Sequence, residues 1–86
     1  MDKKQTTLSN KRIVVIDGGW VLIGDVIRED EYNIYMENAS VIRRWGTTAG
    51  LGQIALTGPT DRTVLDPVGS VDVPRNSIRM RIKCEV

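Results

Sequence analysis

The sequence has no histidine and no phenylalanine, one cysteine, and no long apolar run. Without histidine, the commonest general base and metal ligand are absent, which excludes His-dependent triads and the usual zinc sites. The single cysteine, Cys84, excludes an intrachain disulfide and fits a reducing compartment. No run approaches the roughly 20 apolar residues that span a bilayer, and the first residues lack an apolar signal region. We therefore expect a cytoplasmic protein that is not an enzyme and has no metal, cofactor or membrane segment.

The composition is that of one small globular domain. The chain has 86 residues, of which 41% are hydrophobic and 27% charged, with a formal net charge of +1. So small a net charge gives no general attraction to nucleic acid or to an anionic membrane. The polar residues 1–10 are predicted to form a flexible tail, and residues 11–86 a single small β-barrel domain.

Short β-strands are predicted along most of the chain, because apolar residues alternate or cluster between turn signals. Gly24 is expected at a bulge or bend, Arg28–Glu31 at a charged turn, and Asn38–Ser40 at a break between two strands. The predicted strands are Lys11–Asp17, Trp20–Ile27, Tyr32–Glu37, Val41–Trp45, Gly69–Val73 and Ser77–Glu85.

One short helix is predicted at Ala49–Thr57. Leu51, Ile54 and Ala55 have helical spacing, Thr47 or Thr48 is a suitable N-cap, and Gly58 followed by Pro59 is a stop signal. The predicted fold is therefore mainly β. It is a small SH3-like barrel or a sandwich of five to six short antiparallel strands, with this helix inserted between two β halves.

The first two strands carry apolar residues on both faces, and only one face can fill the interior of a small barrel. The inserted helix is one possible cover for the other face, and a second subunit is the alternative. On this ground we expect a homo-oligomer. The candidate interface residues are Val14, Ile16, Val21 and Ile23.

The stretch Val41–Gly52 is the best candidate for a binding site. Arg43 lies on the same predicted strand face as Trp45, so an anion and a flat group are suitable ligands, and the glycines allow close approach of the backbone. The G-x-x-x-G-x-G spacing lacks the features of a P-loop or a dinucleotide fingerprint. The candidate ligand-binding residues are Arg43, Arg44, Trp45, Gly46, Thr47 and Thr48.

A purely structural interpretation of the same stretch stays open. Tryptophan in a small domain often packs in the core or an interface, and the arginines can pair with Glu29, Asp30 or Glu31. A basic stripe near the C-terminus, of Arg75, Arg79, Arg81 and Lys83, can follow a nucleic-acid backbone. Because the stripe contains no aromatic residue to stack on a base, nucleic-acid binding is the weaker hypothesis.

A set of short motifs extends from Asn38 to Pro74. The motifs are Asn38-Ala39, Arg43-Arg44-Trp45-Gly46, Leu51 with Ile54-Ala55-Leu56, Gly58-Pro59, Val64-Leu65-Asp66-Pro67, and Val71 with Val73-Pro74. This set resembles small uncharacterised proteins of tailed bacteriophages and prophages. The resemblance implies an accessory protein of the bacterial cytoplasm that binds a host protein or sequesters a host signalling molecule.

Three functions follow as hypotheses. The first is an oligomeric, non-catalytic module that binds a small anionic ligand such as a nucleotide near Arg43 and Trp45, and a sponge against defence signalling nucleotides fits this picture. The alternative is a protein-interaction or structural module that uses the apolar face of the first two strands. Nucleic-acid binding through the C-terminal basic stripe comes third.

Overall fold

The computed structural model describes residues 10–86 and confirms a mainly β protein with one short helix. Residues 1–9 of the predicted tail lie outside the described residues. Three-residue 3-10 turns, Asp17–Gly19 and Arg75–Ser77, precede the second and fifth strands. The elements are β1 Lys11–Ile16, β2 Trp20–Glu29, β3 Asn33–Arg44, α1 Leu51–Thr57, β4 Val64–Pro74 and β5 Ile78–Lys83.

The five strands form one antiparallel sheet in the order β4-β3-β2-β1-β5. The prediction of antiparallel strands with one inserted helix is therefore confirmed, in a single sheet and not in the two sheets of a sandwich. Within residues 10–86 no strand pairing joins β4 to β5, which are the two edges of the sheet. Over the same residues, no helix is long and apolar enough to cross a membrane.

The central strands are longer than predicted, with 10 residues in β2, 12 in β3 and 11 in β4. The predicted break at Asn38–Ser40 is wrong, because β3 runs through it. Asn38 takes a φ of 53° as the extra residue of a bulge, and Ala39 rejoins β4 opposite Gly69. The predicted turn at Arg28–Glu31 likewise begins two residues later, since Arg28 and Glu29 still pair with β3.

The sheet bends where β2 crosses this bulge. Gly24 is buried, and a Cβ built on it would lie 2.8 Å from the Cα of Ala39. The ladder register shifts at the same place, between Ile23 and Asp25. The predicted bulge or bend at Gly24 is therefore confirmed, and the absence of a side chain is what allows the two strands to approach there.

The bent sheet has an apolar core on each face. On one face, α1 covers a core whose buried members include Ile13, Ile23, Ile42, Ile54 and Cys84. On the other face, residues of the two halves of the bent sheet form one cluster, with buried members Val14, Leu22, Ile34, Met36, Ala39 and Val73. Successive strand residues point to opposite faces of the sheet. Because each face carries an apolar core, the central strands have apolar residues on both faces.

This division accounts for the four predicted interface residues and removes the reason for choosing them. Val21 and Ile23 belong to the core under α1, whereas Val14 and Ile16 belong to the opposite core. Val14, Val21 and Ile23 are buried within the single chain and Ile16 is partly buried. They do not form one exposed apolar face, so a second subunit is not required to cover them.

Apolar and charged residues alternate over Ser77–Glu85, which predicts a buried face of Ile78, Met80, Ile82 and Cys84, but the observed strand is less regular. Arg79 is an extra residue opposite β1, because Val15 pairs with Met80 while Ile16 pairs with Ile78. This bulge places Ile78 against one core and Ile82 against the other. Met80, predicted to be buried, is 54% exposed.

The helix begins at Leu51, two residues later than predicted, and Thr47 and Thr48 do not cap it. Its N-cap is Gly50, with a φ of 80° and no side-chain hydrogen bond. The hydroxyl of Thr47 instead donates to the carbonyl of Gly50 at 2.9 Å. The predicted end is confirmed, since Gly58 has a φ of 89° and its N–H donates to the carbonyl of Ile54.

We predict that Gly24→Ala lowers the free energy of unfolding by about 1–3 kcal/mol, the usual cost of overpacking, because the new methyl group collides with backbone. Gly52→Ala is the matched control, since a Cβ there meets nothing within 4 Å. Placed in α1, alanine should stabilise the protein by about 0.5–1 kcal/mol. Urea denaturation measures both variants. Equal stability of Gly24→Ala and the wild type would contradict the role assigned to Gly24.

Candidate functional site

The structure separates the residues that the sequence grouped into one site. Arg43 lies at a bulge of β3 and pairs with Asp66 of β4, with Nε donating to Oδ2 at 2.7 Å and Nη2 donating to Oδ1 at 3.3 Å. The hydrogen bonds to this carboxylate, and then its charge, raise the pKa of Arg43. The partner is Asp66 and not Glu29, Asp30 or Glu31, and it leaves Arg43 less available to an anion.

Trp45 follows the end of β3, and its side chain is 45% exposed. A Cβ built on Gly50 would lie 3.8 Å from the Trp45 ring, and the carbonyl of Trp45 accepts a hydrogen bond from the hydroxyl of Thr63 at 2.6 Å. Trp45 is therefore not a core residue.

The other four predicted residues do lie together. They line an open cavity of about 710 Å³ between the end of β3 and the turn before β4. The predicted members are Arg44, Gly46, Thr47 and Thr48, and the turn contributes Asp61 and Arg62.

A second cavity, of about 690 Å³, lies at the opposite end of β3, between the β2–β3 turn and the connection from β4 to β5. It brings an exposed aromatic ring to the basic stripe, which appeared from the sequence to have none. Tyr32, 71% exposed, lines it with three of the four basic residues of that stripe. The aromatic and polar residues that line it are Glu31, Tyr32, Asn33, Arg75, Asn76, Arg79 and Arg81.

The β2–β3 turn that carries Tyr32 is held by Asp30. The Asp30 carboxylate accepts hydrogen bonds from the backbone N–H groups of Tyr32 and Asn33, both at 2.9 Å, and from the Tyr35 hydroxyl at 2.7 Å. These bonds, the one from Tyr35 above all, lower the pKa of Asp30. An aspartate that caps its own turn in this way fixes the backbone from which Tyr32 projects.

Arginine side chains connect this turn to the far edge of the sheet. The Glu29 carboxylate accepts two hydrogen bonds from Arg81, at 3.0 and 2.9 Å, and lies 3.1 Å from the Nε of Arg75. The hydrogen bonds from Arg81 lower the pKa of Glu29, and the same contact raises the pKa of Arg81. The backbone N–H of Arg75 also donates to the carbonyl of Tyr32 at 2.8 Å.

These pairs partly neutralise the basic stripe but do not use all its donors. Within residues 10–86, Arg79 makes one ion pair, from its Nε to Asp17 at 2.7 Å, and its side chain is 72% exposed. The two terminal nitrogens of Arg79 have no partner among these residues and can donate to a ligand. Glu29 and Asp17 offset part of the positive charge of the stripe. We therefore expect hydrogen bonds and stacking to contribute more to the affinity for a ligand than long-range electrostatic attraction does.

Tyr32 is not among the site residues that the sequence pattern predicts. Its neighbours Asp30 and Asn33 signal a turn, and an aromatic residue at a turn tip is commonly exposed. The proximity of that tip to Arg75 and Arg79 depends on how the sheet bends, so it has no local signal in the sequence.

No residue group in the described part of the chain points to metal or thiol chemistry. Within residues 10–86, no cluster of three or more Cys, Asp or Glu side chains is placed to hold a metal ion. Cys84 is buried, and desolvation raises the pKa of its thiol. A thiol held protonated in an apolar core is a weak nucleophile.

Comparison with known proteins shows the fold alone. No protein-family model and no curated protein matches this sequence. A chain in the crystal structure of the NatC complex bound to CoA is similar in structure, with a TM-score of 0.56 and 18% sequence identity. The similarity covers 99% of this chain and 91% of that chain.

We predict that acid weakens the contact between the β2–β3 turn and β5. Since the pKa values of Glu29 and Asp30 lie below their ordinary 4.5 and 3.8, their stabilising contribution is present above those values. It is lost as the pH falls through the lowered, folded-state values. Glu29→Gln should therefore lower the Tm at about pH 7, and the difference from the wild type should shrink towards about pH 2.

Differential scanning calorimetry across this pH range measures the effect. Glu31→Gln is the matched control, because Glu31 makes no ion pair within residues 10–86, and its Tm should follow that of the wild type. A Glu29→Gln difference that stays constant with pH would show that the carboxylate charge is not what stabilises the contact.

Proposed function

We propose that the protein is a binding module for nucleotides, either free or within a single strand, and that it binds them at the cavity of Tyr32 and Arg79. The observation that carries the proposal is that the exposed Tyr32 lines the same cavity as Arg79, whose terminal nitrogens make no ion pair or hydrogen bond within residues 10–86. A nucleotide offers the matching pair of groups, a flat base and an anionic phosphate.

Five residues of the cavity have a role in this proposal. Tyr32 stacks on the base, an interaction typically worth about 1–3 kcal/mol for an aromatic side chain. The amides of Asn33 and Asn76 both donate and accept hydrogen bonds, so they suit the edge of a base. Arg79 donates to the phosphate, while Arg75, bonded to the Tyr32 backbone, holds the two walls of the cavity together.

The proposal keeps the ligand class expected from the sequence and moves the site. Around Trp45, the guanidinium of the neighbouring Arg43 is engaged by Asp66. Around Tyr32, one cavity is lined by an aromatic residue and by Arg79, whose terminal nitrogens have no partner within residues 10–86. The basic stripe also gains the aromatic partner whose absence made nucleic-acid binding the weaker hypothesis.

Two wider expectations stand apart from this site. A module that binds nucleotides without reaction suits the accessory role that the resemblance to bacteriophage proteins implies, including sequestration of a signalling nucleotide in the bacterial cytoplasm. A homo-oligomer stays a prediction, but Val14, Ile16, Val21 and Ile23 no longer support it, because the chain covers them itself.

We predict that Tyr32→Ala weakens nucleotide binding by about 5- to 150-fold, the equivalent of one lost stacking interaction. Isothermal titration calorimetry with nucleoside monophosphates and with mixed-sequence octanucleotides tests this. Trp45→Ala is the matched control and should bind as the wild type does. Tighter binding of the octanucleotides would identify a single strand as the ligand, and equal binding a free nucleotide.

Two results would overturn the proposal. One is the absence of heat with every nucleotide and octanucleotide. The other is a loss of binding in Trp45→Ala with none in Tyr32→Ala, which would return the site to the Val41–Gly52 stretch. Circular dichroism of both variants checks that the fold survives, as expected for two exposed side chains.

A further inference from the structure

The cavity between the end of β3 and the turn before β4 carries an inference that is independent of the nucleotide site. Its two arginines, Arg44 and Arg62, are both exposed. Within residues 10–86 neither guanidinium makes an ion pair, whereas Arg43, Arg75, Arg79 and Arg81 all do. Two cations that share a cavity and form no ion pair with its one carboxylate, Asp61, favour an anionic ligand.

The backbone that carries these arginines is held in place. Gly46 has a φ of 66°, and a Cβ built on it would lie 2.3 Å from the carbonyl carbon of Arg62. The Thr60 hydroxyl donates to the Gly46 carbonyl at 2.7 Å, and the Thr63 hydroxyl donates to the Trp45 carbonyl at 2.6 Å. These hydrogen bonds hold the end of β3 against the turn, so the cavity is preorganised for a ligand.

The remaining polar groups of the cavity are mainly donors. The hydroxyls of Thr47 and Thr48 are engaged with Gly50 and Gln53. Within residues 10–86, however, the backbone N–H groups of Thr47 and Thr48 donate no hydrogen bond. Exposed consecutive N–H groups beside arginines are a recurrent way of binding an oxyanion. The one opposing group is the carboxylate of Asp61.

We propose that this cavity binds a phosphate group, either free phosphate or the phosphate of a small phosphomonoester. Arg44 and Arg62 donate to its oxygens from two sides, and the N–H groups of Thr47 and Thr48 complete the contacts. The volume of about 710 Å³ leaves room for a group attached to the phosphate. The site lies at the opposite end of β3 from Tyr32, so either of the two proposals can be disproved without affecting the other.

Nuclear magnetic resonance titration of the ¹⁵N-labelled chain with inorganic phosphate, and separately with glycerol phosphate, tests the proposal. We expect the amide signals of Thr47 and Thr48 to shift with both. Arg44→Gln and Arg62→Gln should each weaken binding about tenfold or more, as for a lost charged hydrogen bond. Asp61→Asn should tighten binding, because it removes the one like charge from the cavity.

Arg43→Gln is the matched control, since it removes the same charge from the adjacent residue and should leave binding unchanged. Tighter binding of glycerol phosphate than of phosphate would indicate a phosphomonoester, and equal binding free phosphate. Three results would overturn the proposal: no shift at Thr47 and Thr48, equal weakening by Arg43→Gln, or weaker binding in Asp61→Asn.

Discussion

The close approach of β2 and β3 at Gly24 and Ala39 is the constraint on which the rest of the structure depends. A side chain at Gly24 would collide with the backbone of Ala39, and the extra residue Asn38 lets β3 curve around that point. The bend brings Ile34 and Met36 back over Val14 and Leu22, which creates the second core. It also carries the β2–β3 turn to Arg75 and Arg81, and so forms the proposed nucleotide site.

Local patterns predicted the fold class well and the lengths of the strands poorly. The bend at Gly24 and the helix end at Gly58 occur at positions that only glycine occupies easily, so they are visible in one sequence. The length of β3 is decided by its pairing with β4, where Ala39 lies opposite Gly69. The residue types of Asn38–Ser40 alone indicate a break between two strands. Pairing with the neighbouring strand makes this segment a bulge within one strand.

The candidate sites were likewise difficult to predict from local sequence patterns. From the sequence, Arg43 and Trp45 share a strand face, but the bulge at Arg43 and the carboxylate of Asp66 on the neighbouring strand change what Arg43 can do. Tyr32 and Arg75 are distant in sequence, and a hydrogen bond between their backbones joins them. Contacts of this kind depend on tertiary structure, so no spacing or motif in a single sequence predicts them.

The central claim is that a nucleotide binds where the β2–β3 turn meets the β4–β5 connection. Mapping the amide chemical shifts of the labelled chain with a saturating octanucleotide tests it most directly. The account predicts that the largest shifts occur at Tyr32, Asn33, Arg75 and Asn76, with none around Arg43 and Trp45. Shifts concentrated in Val41–Gly52, or no shifts at all, would contradict it.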